Sequence, residues 1–490
     1  MPGRPKKLDT NASGRTEGGL VGTRYGMPEM SKLMDDRFAI TSTMLEVEGI
    51  VPYAISRRYP RLVPPEHAKR INDVTYRIRA GGMDDFLGRV AEREAVTHHL
   101  EDSIFETLRE EVGEAARPYV HIYMTSADSS ETAKYLLLKK GLRILIRGTE
   151  ELRDTCLDVA AEWLKQGHLH MASTHGADAL PEYLGRRLAT EAYMLNSNAN
   201  RLFYDLDNHV VGTLSGATGN FHPMTAAGID GRLIEQECCG IWGLTPSVSL
   251  QDPPREHLAY IFADLAISGR TVANVLKWVK YLKNTARGEL REEPDEGTIG
   301  SSAMPHKEGN PSVEERAIGL SYGLHGNFTA ILETTSREDA RHLEGSALDR
   351  IKIPESFILL DYGNALAANV LLRVEPQPEK LKAGIWRTLG APTSERIRYA
   401  LINKGMPEKK ARTLSGKLAR EAMKSGRKYA HSLLEDPEVT RYLSREQIDE
   451  FANPENYTGD SRRIIEQAHE ELSGKRLLDN SFYPFLFIKT

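Results

Sequence analysis

A chain of 490 residues, with 40% hydrophobic and 27% charged residues, has ordinary globular composition and is long enough for about three domains. That excludes an intrinsically disordered chain and a fibre, and it leaves room for a sizeable core. Lys and Arg total 64 against 69 Asp and Glu, a net charge of −5, which speaks against a general nucleic-acid binder and makes any phosphate site local.

In chain order, the basic opening Met1-Pro2-Gly3-Arg4-Pro5-Lys6-Lys7 has no apolar segment behind it. It reads as a solvated tail rather than a secretory signal or a DNA-groove arm. The stretch 124–132 places hydroxyls and Asp128 at a helix start, where they serve as caps or as an anion pocket built on exposed N–H groups. Residues 131–179 then lack proline, and Leu138, Leu142, Leu145, Ile146, Leu152, Cys156, Leu157, Val159, Ala160 and Leu164 recur at spacings of three and four. This predicts a helix of roughly 30 residues, loosened at Gly141 or Gly148. Residues 173–181 read as a polar turn between two helices, with His175 either structural or catalytic. After the stop at Pro253-Pro254, the stripe Ile261, Leu265, Val272, Val275, Leu276, Val279 and Leu282 predicts a second long helix over 255–293.

Residues 297–311 form a loop of about 15 residues between glycine and proline breaks, a length that is usually functional or disordered. Its hydroxyls, lysine, histidine and asparagine suit a lid over an anionic ligand, and a plain linker is the other reading. Two more helices are predicted over 312–335 and 355–373. Between them, the arginines of 341–350 form either a phosphate clamp or a solvated charged face. Strand signals are thin. No run approaches the roughly 20 apolar residues of a membrane span. Cys156, Cys238 and Cys239 are odd in number, which favours a reducing, cytoplasmic setting. The expected fold is all-α, with helical domains over 1–122, 123–372 and 373–490 and a central long-helix bundle that assembles into an oligomer.

The motif Gly300-Ser301-Ser302-Ala303-Met304-Pro305-His306-Lys307, followed by Asn310-Pro311 and Glu314, resembles the signature of the fumarase/aspartase superfamily. Its Ala-Met-Pro-His-Lys wording is closest to the adenylosuccinate lyase family. Arg24-Tyr25-Gly26-Met27-Pro28-Glu29-Met30 resembles that family's opening. His121 with Thr125-Ser126-Ala127-Asp128, then Thr174-His175-Gly176 with Pro181 and Gly185, then Gly216-Ala217-Thr218-Gly219 follow in the family's order. Arg341, Ser346 and Arg350 fall at its phosphate-clamp spacing. The sequence departs from the family where both Glu308 and Gly309 separate Lys307 from Asn310, where Ala177-Asp178-Ala179 replaces Gln-Pro-Ala, and where Glu182-Tyr183 replaces paired threonines. The family's His-Asp pair has no clean counterpart near His98-His99 and Glu101-Asp102.

The resemblance implies a C–N lyase of purine biosynthesis that releases fumarate from adenylosuccinate and from the succinylated aminoimidazole carboxamide nucleotide. The proton lost in such an elimination lies beside a carboxylate and is weakly acidic. A base must take it, donors must hold the resulting dianion, and an acid must protonate the leaving nitrogen. By resemblance, Ser301 is the base and His175 the acid or its immediate partner. Lys307 and Asn310 hold the succinyl carboxylates, helped by Thr125 and Ser126; His121 and Gln251 contact the substrate. Arg24, Tyr25, Arg341, Ser346 and Arg350 grip the nucleotide phosphate. No metal or cofactor is called for, and the expected assembly is a homotetramer with sites shared among three subunits. Two other readings stand beside this one: a lyase of the same fold acting on another succinyl or aspartate adduct, and a non-catalytic member of the fold.

Overall fold

The computed structural model describes residues 19–34, 36–292, 304 and 310–478. Its spine is a set of long helices, α1 (Asp36–Arg58), α2 (Ser126–Lys165), α3 (Arg186–Asn208), α4 (Glu256–Lys283), α5 (Ser312–Glu333) and α6 (Glu344–Arg373). At 40 residues, α2 is longer than its apolar stripe alone predicts, because a capping box between Thr125 and Asp128 satisfies its first N–H groups and extends it toward the N-terminus. Gly141 does not loosen it. A Cβ there would stand 2.5 Å from Cδ1 of Phe357 and 2.6 Å from Cε of Met34, so the glycine serves close helix packing. Likewise α6 begins eleven residues before the expected 355 and runs through Pro354, which removes one backbone donor without ending the helix.

The apolar stripes meet in one central core. Leu138, Leu145 and Leu152 of α2 pack with Ile261, Val272 and Leu276 of α4 and with Phe357, Leu360 and Ala367 of α6. A second cluster around Ile71, Phe86, Ile104 and Leu108 lies on the N-terminal side, and a third around Ile397, Leu401, Leu418, Tyr429 and Ile448 lies on the C-terminal side. Among the described residues no helix is long and apolar enough to cross a membrane.

Ion pairs fix which helix ends meet. Arg255, just before α4, makes a bidentate pair with Asp349 near the start of α6 at 2.6 and 3.1 Å, and its Nε donates to Thr334 at the end of α5 at 3.0 Å. Lys134, near the start of α2, reaches the same Asp349 at 2.8 Å. At the other end, Lys283 at the close of α4 pairs with Glu314 at the start of α5, 2.7 Å away, and Arg373 at the close of α6 pairs with Glu292, 2.9 Å away. Residues 290–292 and 374–376 form a short antiparallel pair at that end. The bundle therefore has a foot, where α2, α4 and α6 begin, and a head, where they finish.

The head also holds a feature that the sequence reading missed. The expected turn between two helices is a β-hairpin, β1 (Leu169–Thr174) against β2 (Ala177–Tyr183). It closes on His175-Gly176, both left-handed with φ of 53° and 77°, which is the two-residue turn whose twist matches paired strands.

Candidate active site

At the foot, the start of α2 gathers several of the expected binding residues. The Asp128 carboxylate accepts the N–H of Thr125 at 2.8 Å and that of Gly216 at 3.0 Å. One buried side chain thus ties the helix start to the Gly216–Gly219 turn. Burial pushes its carboxyl up to about 6, against the pull of those two backbone donors. Gly219 is left-handed (φ 75°), and a Cβ there would meet the Ser249 carbonyl oxygen at 2.2 Å, so only glycine lets this turn rest on the 249–251 backbone. From that backbone, Gln251 Nε2 reaches Thr125 Oγ1 at 3.5 Å, and the Gln251 N–H donates to the Ala340 carbonyl at 3.2 Å. Next in the chain, Arg341 pairs with Asp252 at 2.6 Å.

His121 stands just before this cluster, left-handed with φ 63°, its ring stacked on Phe105 with centroids 3.9 Å apart. Its Nδ1 lies 2.9 Å from Oε1 of Glu48. Ser126 opens α2, and Ser346 and Arg350, four apart on α6, share one helix face. Arg350 is largely exposed and lies 3.7 Å from Glu101, which itself stands 3.6 Å from His99. The stretch around His98-His99, where the family's His-Asp pair has no clean counterpart, therefore sits beside the expected clamp.

Arg24 and Tyr25 are elsewhere. Arg24 closes the short helix Gly19–Arg24 and lies over the Tyr25 ring at 5.8 Å, while Tyr25 packs against Tyr362 at 6.1 Å. Tyr362 is twelve residues beyond Arg350 on α6, about 18 Å along the helix axis.

At the head, His175 is exposed at the hairpin tip. The hairpin is anchored just behind that tip. Arg287, almost fully buried, donates to Ser173 Oγ at 2.6 Å and to the Met171 carbonyl at 3.3 Å, and it pairs with Glu289 at 3.0 Å. Asp178, one of the departures from the family pattern, lies 3.6 Å from Arg287 and 3.4 Å from Arg387. Another departure, Glu182, lies 3.2 Å from Nε2 of His170. Asn310, exposed at the start of α5, is at this end too. Ser301 and Lys307 lie outside the described residues, as does the rest of the signature stretch apart from Met304 and residues 310–311.

One chain thus brings His121, Thr125, Ser126, Gln251, Arg341, Ser346 and Arg350 to the foot, Arg24 and Tyr25 to mid-bundle, and His175 and Asn310 to the head. The 40 residues of α2 separate foot from head by about 60 Å at 1.5 Å per residue. Sequence reasoning did not single out Glu48, Asp252 or Arg287. Their partners lie 73, 89 and 114 positions away, beyond any local pattern. Among the described residues no group of three or more His, Cys, Asp or Glu is placed to hold a metal ion.

Comparison with known proteins places this arrangement. Residues 28–325 match the family model described as Lyase, and residues 390–468 match the one described as Adenylosuccinate lyase C-terminus. The chain is 31% identical over 452 residues to the adenylosuccinate lyase of Pyrococcus horikoshii, covering 91% of this chain and 96% of that one. It is 31% identical over 451 residues to the adenylosuccinate lyase of Methanothermobacter thermautotrophicus, covering 91% and 97%. Among solved structures, it is similar to a β-carboxy-cis,cis-muconate cycloisomerase from Acinetobacter calcoaceticus, with a TM-score of 0.81, 20% identity, and coverage of 92% of this chain and 100% of that one. A fumarate lyase from Mesorhizobium is similar with a TM-score of 0.77, 20% identity, and coverage of 91% and 98%. These two structural likenesses speak to the fold.

Proposed function

The chain belongs to the lyase family of the fumarase/aspartase superfamily, in its adenylosuccinate lyase branch, and from that premise we propose how its residues carry the reaction. It is a C–N lyase of purine biosynthesis, eliminating fumarate from adenylosuccinate and from the succinylated aminoimidazole carboxamide nucleotide. The observation that carries this reading is the match of residues 390–468 to a C-terminal region described by that enzyme's name, alongside relatives aligned over nine tenths of the chain.

Ser301 takes the proton beside the succinyl carboxylate, and His175 or its immediate partner returns one to the leaving nitrogen. Lys307, Asn310, Thr125 and Ser126 hold the carboxylates as charge builds on them. His121 and Gln251 contact the substrate, and Arg24, Tyr25, Arg341, Ser346 and Arg350 grip the phosphate. Because the described members of this set lie at three levels of one bundle, the site is completed by neighbouring copies, in a homotetramer. Exposed apolar residues support such an assembly. Tyr260, Ile267 and Tyr281 recur at multiples of seven on α4, and Tyr322 and Leu332 of α5 are exposed as well.

The decisive assay mixes purified protein with adenylosuccinate and follows fumarate. Release supports the reading, and no release at any enzyme concentration overturns it. The replacement of Gln-Pro-Ala by Ala177-Asp178-Ala179, with Asp178 turned to Arg287 and Arg387, favours one second reading, a same-fold lyase for another succinyl or aspartate adduct. Fumarate release from a phosphate-free adduct in place of adenylosuccinate would select it.

A further inference from the structure

Glu48 on α1 is a carboxylate with no exposed surface, yet its one described partner is the imidazole of His121. Its second oxygen, Oε2, has no hydrogen-bond partner among the described residues. A buried carboxylate with a single neutral-capable partner is a poor source of stability, since desolvating the charge costs several kcal/mol and one hydrogen bond does not restore it. A better-packed apolar side chain would serve the fold at least as well. The geometry around His121 is correspondingly constrained: left-handed backbone, ring stacked on Phe105, Nδ1 facing Glu48 at 2.9 Å, and 14% of the side chain open to the outside.

We propose that Glu48 is the positioning residue for His121: it accepts the Nδ1–H, fixes that tautomer and ring plane, and leaves Nε2 as the nitrogen offered to the substrate. The carboxylate acts through the imidazole and touches no substrate itself. This deepens the role given above to His121 and rests on that reading of the site.

The test is a double-mutant cycle on the full-length enzyme with Glu48→Gln, His121→Ala and the pair, which preserves volume at position 48 while removing its charge. Glu48→Gln should raise KM about tenfold with kcat within about threefold, roughly one hydrogen bond to a charged group, and Glu48→Asp should recover part of the loss. Against a His121→Ala background, Glu48→Gln should add nothing. Wild-type KM in Glu48→Gln, or full additivity in the pair, would overturn the proposal. A crystal structure of the ligand-free wild-type and Glu48→Ala proteins separates this from the substrate question. The ring should keep its plane in the first and turn in the second, whatever the substrate proves to be, and an unmoved ring in Glu48→Ala would equally end the proposal.

Discussion

At the foot of the bundle, Thr125 and Arg341 are held by the carboxylates of Asp128 and Asp252, and Gln251 reaches Thr125, whereas at the head His175 rides on the exposed tip of a two-stranded hairpin. The foot is preorganised: Lys134 and Arg255 converge on Asp349, and although burial opposes its charge, the two cations hold its carboxyl below the ordinary range. Among the described residues the head is anchored behind the tip, through Arg287 and its neighbours, and the imidazole is exposed beyond that support. In the proposed assembly a gripping foot would benefit from rigidity, while a group meant to meet a substrate seated on another copy would have to reach outward.

The largest expected effect tests whether the two ends really cooperate between copies. Ser301→Ala and His175→Ala should each lower turnover by about 10² to 10⁴ with the fold intact by circular dichroism. A near-normal rate in either variant moves that role elsewhere. Co-assembling His175→Ala with Arg341→Ala should recover activity above the mean of the two parents, because their lesions lie at opposite ends and fall in different sites of a mixed assembly. Absence of recovery would place both groups in one copy's site.

Next in size, Arg341→Ala or Arg350→Ala should raise KM for a phosphorylated substrate about tenfold or more, the loss of a charge-assisted hydrogen bond. Unchanged kinetics would remove the clamp and leave Arg341 as a structural partner of Asp252. Smaller again, Asp128→Asn should cost about 1–3 kcal/mol in urea denaturation, since Thr125 and Gly216 donate to different carboxylate oxygens and one of these becomes an NH2 facing a donor. An undiminished midpoint would show that the foot does not depend on this tie.

The smallest effect is a slope. Asp205 on α3 faces Asp264 on α4, and burial together with that neighbour pushes its carboxyl up to about 8. The folded state holds this proton more tightly than the unfolded chain does. The resulting stability is complete below the ordinary value of 3.8 and is lost as pH rises through about 8. Asp205→Asn should therefore flatten the decline of Tm between about pH 4 and 8, and an unaltered decline would contradict the assignment.

The helices were legible because burial imprints a period on the sequence: Leu138, Leu145 and Leu152 recur at sevens, and every one is in the core. The hairpin was not. Its strands, Leu-His-Met-Ala-Ser-Thr and Ala-Asp-Ala-Leu-Pro-Glu-Tyr, carry few β-branched residues and a proline, and its turn places a histidine where asparagine or glycine is the usual signal. The expected site residues come from the resemblance. Their distribution over foot, middle and head could not be read from it, since it depends on pairings such as Arg255 with Asp349 that join positions 94 apart.

The uninterrupted span from Ser126 to Lys165 also acts as a gauge rod for any assembly built on it. Every copy would lend its two extremities to different catalytic centres, so the rod's length sets how far apart those centres stand. An insertion of three or four residues within it would increase the separation of its extremities by about one helical pitch, roughly 5.4 Å in all. Every centre in the particle would then be mis-spaced at once, while each individual copy still folded.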